Sequence, residues 1–162
     1  MKVQKRRRRE NKTDYLKRLK LLKGESSRVV FRKTNKYIIA QYFLSEEAQD
    51  KAIIGIDSRE LIKYGWPKEG QGSLKSISAS YLTGYLIGKK ILKEKLANPI
   101  LDTGMIRIIH KNKVYAFING MIDAGIKINC NKKFFPEEPR IKGENLKLKI
   151  SFNEIKSKIE QM

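Results

Sequence analysis

The sequence predicts an α/β domain: a mixed sheet with two main helices packed on it, a basic arm before it and a helical extension after it. Three observations lead there. Short runs rich in β-branched and aromatic residues recur at 28–33, 37–43, 52–57 and 99–102, each bounded by turn-forming residues. Two longer stretches, 75–96 and 114–125, repeat apolar residues at helical spacing. Charge is segregated: residues 1–36 hold 15 Lys and Arg against three acidic residues, a net of +12 out of +19 for the whole chain. The chain is accordingly divided into a basic arm at 1–24, an α/β core at 25–128 and a loop with a helical extension at 129–162.

The elements follow in order. Lys5, Arg6, Arg7, Arg8 and Arg9 are five consecutive cations, whose repulsion predicts an extended, unordered segment over 1–12. Asp14–Lys23 suits a short helix with Tyr15, Leu16, Leu19 and Leu22 on one side, stopped by Gly24. Arg28–Lys33 and Tyr37–Phe43 read as a hairpin, because Thr34-Asn35-Lys36 is a tight turn in which Asn tolerates a left-handed backbone. Ser45–Lys51 reads as a polar loop and Ala52–Asp57 as a third strand. A short helix from Ser58 ends near Gly65, and Trp66-Pro67 leads into a loop with Gly70 and Gly72. Lys75 to about Leu96 is the principal helix, capped by Ser76 or Ser78. Gly84 and Gly88, four apart on it, predict a close backbone approach to a neighbouring sheet. Pro99–Asp102 is a candidate buried strand, which Ile106–Ile109 extends or follows with another. Val114, Phe117, Ile118, Met121 and Ile122 mark a second core helix ending at Gly125. Asn129–Arg140 is a loop with two prolines, and 141–162 a lysine-rich helical extension packed less securely.

Composition narrows the function. At 40% hydrophobic residues, the 162-residue chain is no disordered basic tail. No apolar run approaches the roughly 18 residues that span a bilayer, and no apolar stretch follows the N-terminal cations as in a secretory signal. Cys130 is the only cysteine, which favours a reducing, intracellular setting. A cationic block of this density becomes ordered against a polyanion, and its guanidinium groups match phosphate and stack on bases. The plainer reading is a localisation signal or solubilising tail. Against it, the cations continue through Lys12, Lys17, Arg18, Lys20, Lys23, Arg28, Arg32, Lys33 and Lys36.

Catalytic patterns are poor. There is no G-x-S-x-G nucleophile turn, no C-x-x-C and no phosphate-binding loop, and His110 stands alone among cations. His110 reads as a surface side chain and Cys130 as a partly buried thiol; no cofactor and no metal site are expected. The serious enzymatic alternative is a magnesium-dependent nuclease using Asp57 and Asp102 at strand ends, with Asp123 nearby. Each of these carboxylates also suits a turn or helix cap.

Several blocks carry a resemblance: Lys12–Tyr15 (KTDY), Arg18–Leu22 (RLKLL), Arg28–Gln41 (RVVFRKTNKYIIAQ), Tyr64-Gly65-Trp66, Ala79–Lys90 (ASYLTGYLIGKK), Ile100–Gly104 (ILDTG), Val114–Gly125 (VYAFINGMIDAG) and Arg140–Glu144 (RIKGE). In this order they resemble the ribosomal large-subunit protein eighteen family over nearly the whole chain, and the KTDY block, the YGW element and the long tail look like its archaeal branch. The loop Gly70–Ser76 and the tail after Asn145 depart from the pattern. The resemblance implies an α/β fold of the ribonuclease-H-like, translational-machinery type used as a scaffold without catalysis. It implies a cytoplasmic, ribosome-bound protein without a membrane role, whose partners are 5S rRNA, large-subunit rRNA and neighbouring ribosomal proteins. Its role would be to attach 5S rRNA in the central protuberance. The residues expected to meet RNA are Lys5–Arg9, Lys12, Arg18, Lys20 and Lys23 of the arm, with Arg28, Arg32, Lys33, Thr34, Asn35 and Lys36 of the hairpin and Lys75. Tyr15, Tyr37, Tyr64 and Trp66 are the aromatic candidates for base stacking. Of these Trp66 is expected on an RNA-facing loop, while Tyr37, like Tyr81, is expected in the core.

Overall fold

Alternation along the first three strands builds the domain. In the computed structural model, which describes residues 3–46, 49–146 and 149–162, β1 (Arg28–Lys33), β2 (Ile38–Glu46) and β3 (Gln49–Asp57) form an antiparallel meander. A short β4 (Ile100–Asp102) adds to β1 in parallel, giving the order β3-β2-β1-β4. Cross-strand register puts Val29 against Tyr42 and Phe31 against Ala40, and these pair on with Ile54 and Ile56. All six are buried on the inner face. The opposite parity carries Arg28 against Phe43, Val30 against Gln41 and Arg32 against Ile39. Among the described residues no long helix lies across that outer face.

Ser45–Lys51, expected as a loop, instead extends both strands around the turn, with residues 47 and 48 outside the described set. The ladder shifts register between Tyr42 and Phe43, whose partners are Ile54 and Ala52, leaving Ile53 as a bulge on the edge strand. Such a kink is a common way to discourage edge-to-edge pairing. β4 is not the buried strand expected: Ile100 is 46% exposed, and Ile106–Ile109 form no strand.

Two helices cover the inner face. α3 (Ile77–Lys93) is capped by the Ser76 hydroxyl, which accepts from the Ala79 amide at 3.1 Å. It is buried on nearly every side between the sheet, α4 (Lys113–Ala124) and the C-terminal segment. Asn112 caps α4, and Gly125, at φ +111°, ends it in a left-handed turn. The two helices meet backbone to backbone. A Cβ on Gly84 would lie 2.2 Å from the Phe117 carbonyl oxygen, and one on Gly120 would lie 2.1 Å from the Tyr81 carbonyl oxygen. The close approach expected of Gly84 and Gly88 is therefore to a helix rather than a sheet.

The C-terminal extension is firmly packed, contrary to expectation. After α5 (Glu138–Lys142), α6 (Phe152–Glu160) buries Phe152, Ile155 and Ile159 at helical spacing against α3. Polar contacts fix its register: the Tyr85 hydroxyl donates to Glu160 at 2.6 Å, and Lys156 donates at 3.1 Å to the Tyr81 hydroxyl, which itself donates to Asp123. Burial and then these carboxylates push both phenols above their ordinary range. Ser58–Tyr64 forms the short helical turn anticipated before Gly65, of 3₁₀ type.

Candidate nucleic-acid interface

The basic arm is folded, not extended. Arg6–Arg9 form a one-turn helix (α1), and Asp14 caps α2 (Tyr15–Lys23) by accepting from the amides of Leu16 and Lys17. The arm turns back onto the segment after β4. The Arg8 guanidinium donates to Met105 Sδ at 3.6 Å, and Lys17 Nζ donates to Thr103 Oγ1 and the Gly104 carbonyl at 3.2 and 3.3 Å. Local carboxylates relieve part of the repulsion: Arg8 lies 3.5 Å from Asp14, and Lys12 2.7 Å from Glu10. These contacts are largely exposed, so each contributes at most about 1 kcal/mol and holds the arm loosely.

This fold-back builds one continuous, predominantly cationic surface, in which Asp14 and Asp102 are the acidic residues. Arg7, Lys12, Lys17, Arg18 and Arg32 line a cleft of about 330 Å³ between α2 and the β4 turn. A second cleft, of about 460 Å³, continues along the outer face past Val30, Arg32 and Ile39 to Lys33 and Thr34. Arg9, Lys20, Lys23, Arg32, Lys33 and Lys36 are exposed and have no carboxylate partner among the described residues. The hairpin tip is rigid: the Thr34 hydroxyl donates to the Tyr37 carbonyl at 2.7 Å and accepts from the amides of Lys36 and Tyr37. Thr34 thus shapes the turn, while Asn35 and Lys36 stand exposed on it. Tyr15 is exposed, with the Lys5 ammonium 4.7 Å from its ring centre.

Several expected contacts lie elsewhere. Trp66 is 2% exposed and belongs to the core, because the left-handed Gly65 turns the chain inward there. Tyr64 is half-buried and donates to Met162 Sδ at 3.0 Å, so it faces the C-terminal segment. Tyr37 packs partly on the core, with the Arg59 guanidinium over its ring. Arg28 is only 4% exposed: it is held by Asp50 beneath Phe43 and is a structural cation rather than a surface donor. Asp50 also accepts from Arg18 at 2.8 Å and Ser45 at 2.7 Å. Burial opposes its charge, but these hydrogen bonds outweigh it and hold the carboxyl below its ordinary value. Arg18 therefore ties α2 to the sheet. The sequence reading missed Asp50, whose position in an apparent polar loop gave no sign that it anchors two arginines. Lys75 is exposed before α3, away from the arm.

The three aspartates of the nuclease reading serve structure. Asp57 accepts from the Arg59 amide as the cap of the 3₁₀ turn, and chiefly the Arg59 side-chain hydrogen bond lowers its pKa. Asp102 accepts from the Gly104 amide at 2.8 Å, and Asp123 from Tyr81. Asp57 and Asp102 end the outermost strands of the sheet, three strand spacings or about 14 Å apart, whereas paired catalytic metals sit about 4 Å apart. Among the described residues no three His, Cys, Asp or Glu side chains gather as a metal site, and no helix is long and apolar enough to cross a membrane. Cys130 is a half-buried free thiol whose pKa burial raises.

Comparison with known proteins identifies the family. The family model describing "Ribosomal large subunit proteins 60S L5, and 50S L18" matches residues 1–100, which span the arm, β1 to β3 and α3. A protein named large ribosomal subunit protein uL18 from Korarchaeum cryptofilum is 44% identical over 145 residues, covering 90% of this chain and 72% of the relative. Its namesake from Methanosphaera stadtmanae is 42% identical over 145 residues, with 90% and 73% covered. That of Methanothermobacter thermautotrophicus is 39% identical over 141 residues, with 87% and 71% covered. Similarity of this extent, over 87–90% of the chain, places it in the family of ribosomal large-subunit proteins 60S L5 and 50S L18.

Proposed function

We propose that this protein is a structural constituent of the large ribosomal subunit in the cytoplasm, binding 5S rRNA and attaching it to the large-subunit rRNA. The observation that carries the reading is the unpaired cationic surface formed by the folded-back arm and the outer face of the hairpin. Exposed cations without protein partners repel one another, and that cost is recovered when phosphates replace their counterions. Arg9, Lys20 and Lys23 in the arm, and Arg32, Lys33 and Lys36 on the hairpin, supply donors to phosphate; Tyr15 supplies a ring for a base. The buried helices hold this surface and take no part in chemistry. Neighbouring ribosomal proteins remain partners of the C-terminal side, including α6.

Binding to 5S rRNA, titrated with salt, tests the proposal. Contacts to about 6–10 phosphates lower affinity by about 10³–10⁵-fold between about 50 and 200 mM salt. Deleting residues 1–12 is expected to weaken binding and shallow the salt slope while the thermal transition persists, since α1 buries no residue. A flat salt response, or equal affinity for 5S rRNA without the arm, refutes the reading.

A further inference from the structure

A second cationic site lies away from the arm, at the end of the inner face where α3 and α4 begin. A cavity of about 540 Å³ is lined by Lys33, Arg107, His110, Lys113 and Arg140 together with Phe31 and neighbouring isoleucines; none of its described lining residues is acidic. The volume falls within the roughly 300–1,000 Å³ of small-molecule sites. Burial first, and then the nearby charges of Lys33 and Lys75, push the Lys113 ammonium below its ordinary pKa. Lys113 also occupies the first turn of α4, where a cation adds to the positive end of the helix dipole. Lys33 and Lys113 thus repel one another across the cavity. The nearby Glu137 is held by Lys111 at 2.7 Å.

Beside the cations is an aromatic platform. The exposed His110 ring stacks on Phe134 with centres 4.2 Å apart and planes 18° from parallel, and Tyr115 meets it edge-on at 6.0 Å. The Lys111 amide donates to the Phe134 carbonyl at 2.9 Å, which pins the two loops together and fixes the stack. A ring supported on one face, exposed and bordering a cationic cavity, is the arrangement by which proteins hold an unpaired base with its phosphate. We propose that this cavity holds one unpaired nucleotide of RNA, its base on the His110 ring and its phosphate between Lys33 and Lys113. It adjoins the arm and hairpin surface at Lys33, which borders both clefts, and adds a base-binding point beyond that surface. The inference rests on the reading of the protein as an RNA binder.

His110 is the only histidine, so its imidazole signals report on this site alone in an NMR titration of the full chain. The probes are a short adenylate oligonucleotide and an abasic ribose-phosphate strand of equal length. The adenylate strand is expected to move the ring protons upfield by the ring current of the stacked base, whereas the abasic strand is not. His110→Ala is expected to lower the preference for adenylate over abasic strand at least about 5-fold, and His110→Phe to retain it. Lys113→Ala is expected to weaken both strands at this site. Bound adenylate with unmoved His110 signals, or a preference unchanged in His110→Ala, overturns the nucleotide site while leaving the arm surface intact. Failure of either strand to bind anywhere overturns this proposal and the RNA-binding reading together.

Discussion

Gly84→Ala is expected to destabilise the protein although alanine is the better helix former. The change places a methyl carbon 2.2 Å from the Phe117 carbonyl oxygen and 3.0 Å from its carbon. An ordinary carbon–oxygen contact is about 3.3–3.6 Å, so α3 and α4 must separate by roughly 1 Å. The obstructing atoms are backbone, which cannot rotate aside. A gap of about 0.5–1 Å forfeits about a quarter to a half of the dispersion energy of the atoms it parts, here around Tyr81, Tyr85, Phe117 and Met121. Overpacking costs about 1–3 kcal/mol, and the backbone clash puts this site at the upper end. Helix propensity returns about 1 kcal/mol. The net is a loss of about 2 kcal/mol, or a fall in Tm of about 4–8 °C for a chain of this size. Thermal unfolding followed by circular dichroism measures it. Gly55→Ala is the control: its methyl would meet only the Gln41 side chain, at 3.9 Å, and its Tm should move by no more than about 2 °C. A Gly84→Ala melt at or above the wild type, or an equal fall in the control, refutes the argument.

Three further outcomes follow from the charge network, the buried phenols and the tail. The Asp50 carboxyl is held below its ordinary pKa, so its contribution is present above the unfolded value near 4 and lost as pH falls below it. Asp50→Asn is expected to lower stability at pH 7 by about 2–3 kcal/mol, less than the about 3–5 of a fully buried pair, and to flatten the acid limb of a pH–denaturation series. The Tyr81 and Tyr85 phenols are raised, so their contribution is full below about pH 10 and lost above it; Tyr81→Phe should reduce that alkaline loss. Ile155 is 1% exposed, so Ile155→Ala is expected to cost about 2–4 kcal/mol. Limited proteolysis should then cut near residues 143–151 before the core, and unchanged resistance would show that α6 is not docked as described.

What the sequence made legible is what local chemistry determines. The hairpin was readable because Thr34-Asn35 interrupts two apolar strands, and both main helices because their apolar periodicity is long and their caps are explicit. Asp57 and Asp102 were readable as cap and turn residues, since each ends a strand before a turn, whereas the Tyr81 partner of Asp123 was not. Tertiary relations were not. Trp66 stands among loop signals, and only the fold shows that Gly65 turns it inward. Arg28 looked like its neighbours Arg32 and Lys33, yet the partner that buries it is 22 residues away. The glycines announced a close approach without saying to what. The arm's fold-back depends on contacts some 90 residues distant, at Thr103–Met105.

The same relations explain how a small chain can present so much positive charge and still fold. The acidic residues are spent where cations would otherwise disrupt structure: Asp50 under Arg18 and Arg28, Asp14 and Glu10 along the arm, Glu60 on Lys90. Cations left over include those on the arm, on the outer sheet face and at the helix-start cavity. If RNA meets both surfaces, the repulsion left unrelieved by the fold is relieved by assembly, and stability off the ribosome should rise with salt as counterions screen it. Salt would then act in opposite directions on the two equilibria, strengthening the free fold and weakening the complex. A free protein whose Tm falls with added salt would mean that its ion pairs outweigh its repulsions, and that the exposed cations cost the isolated chain little.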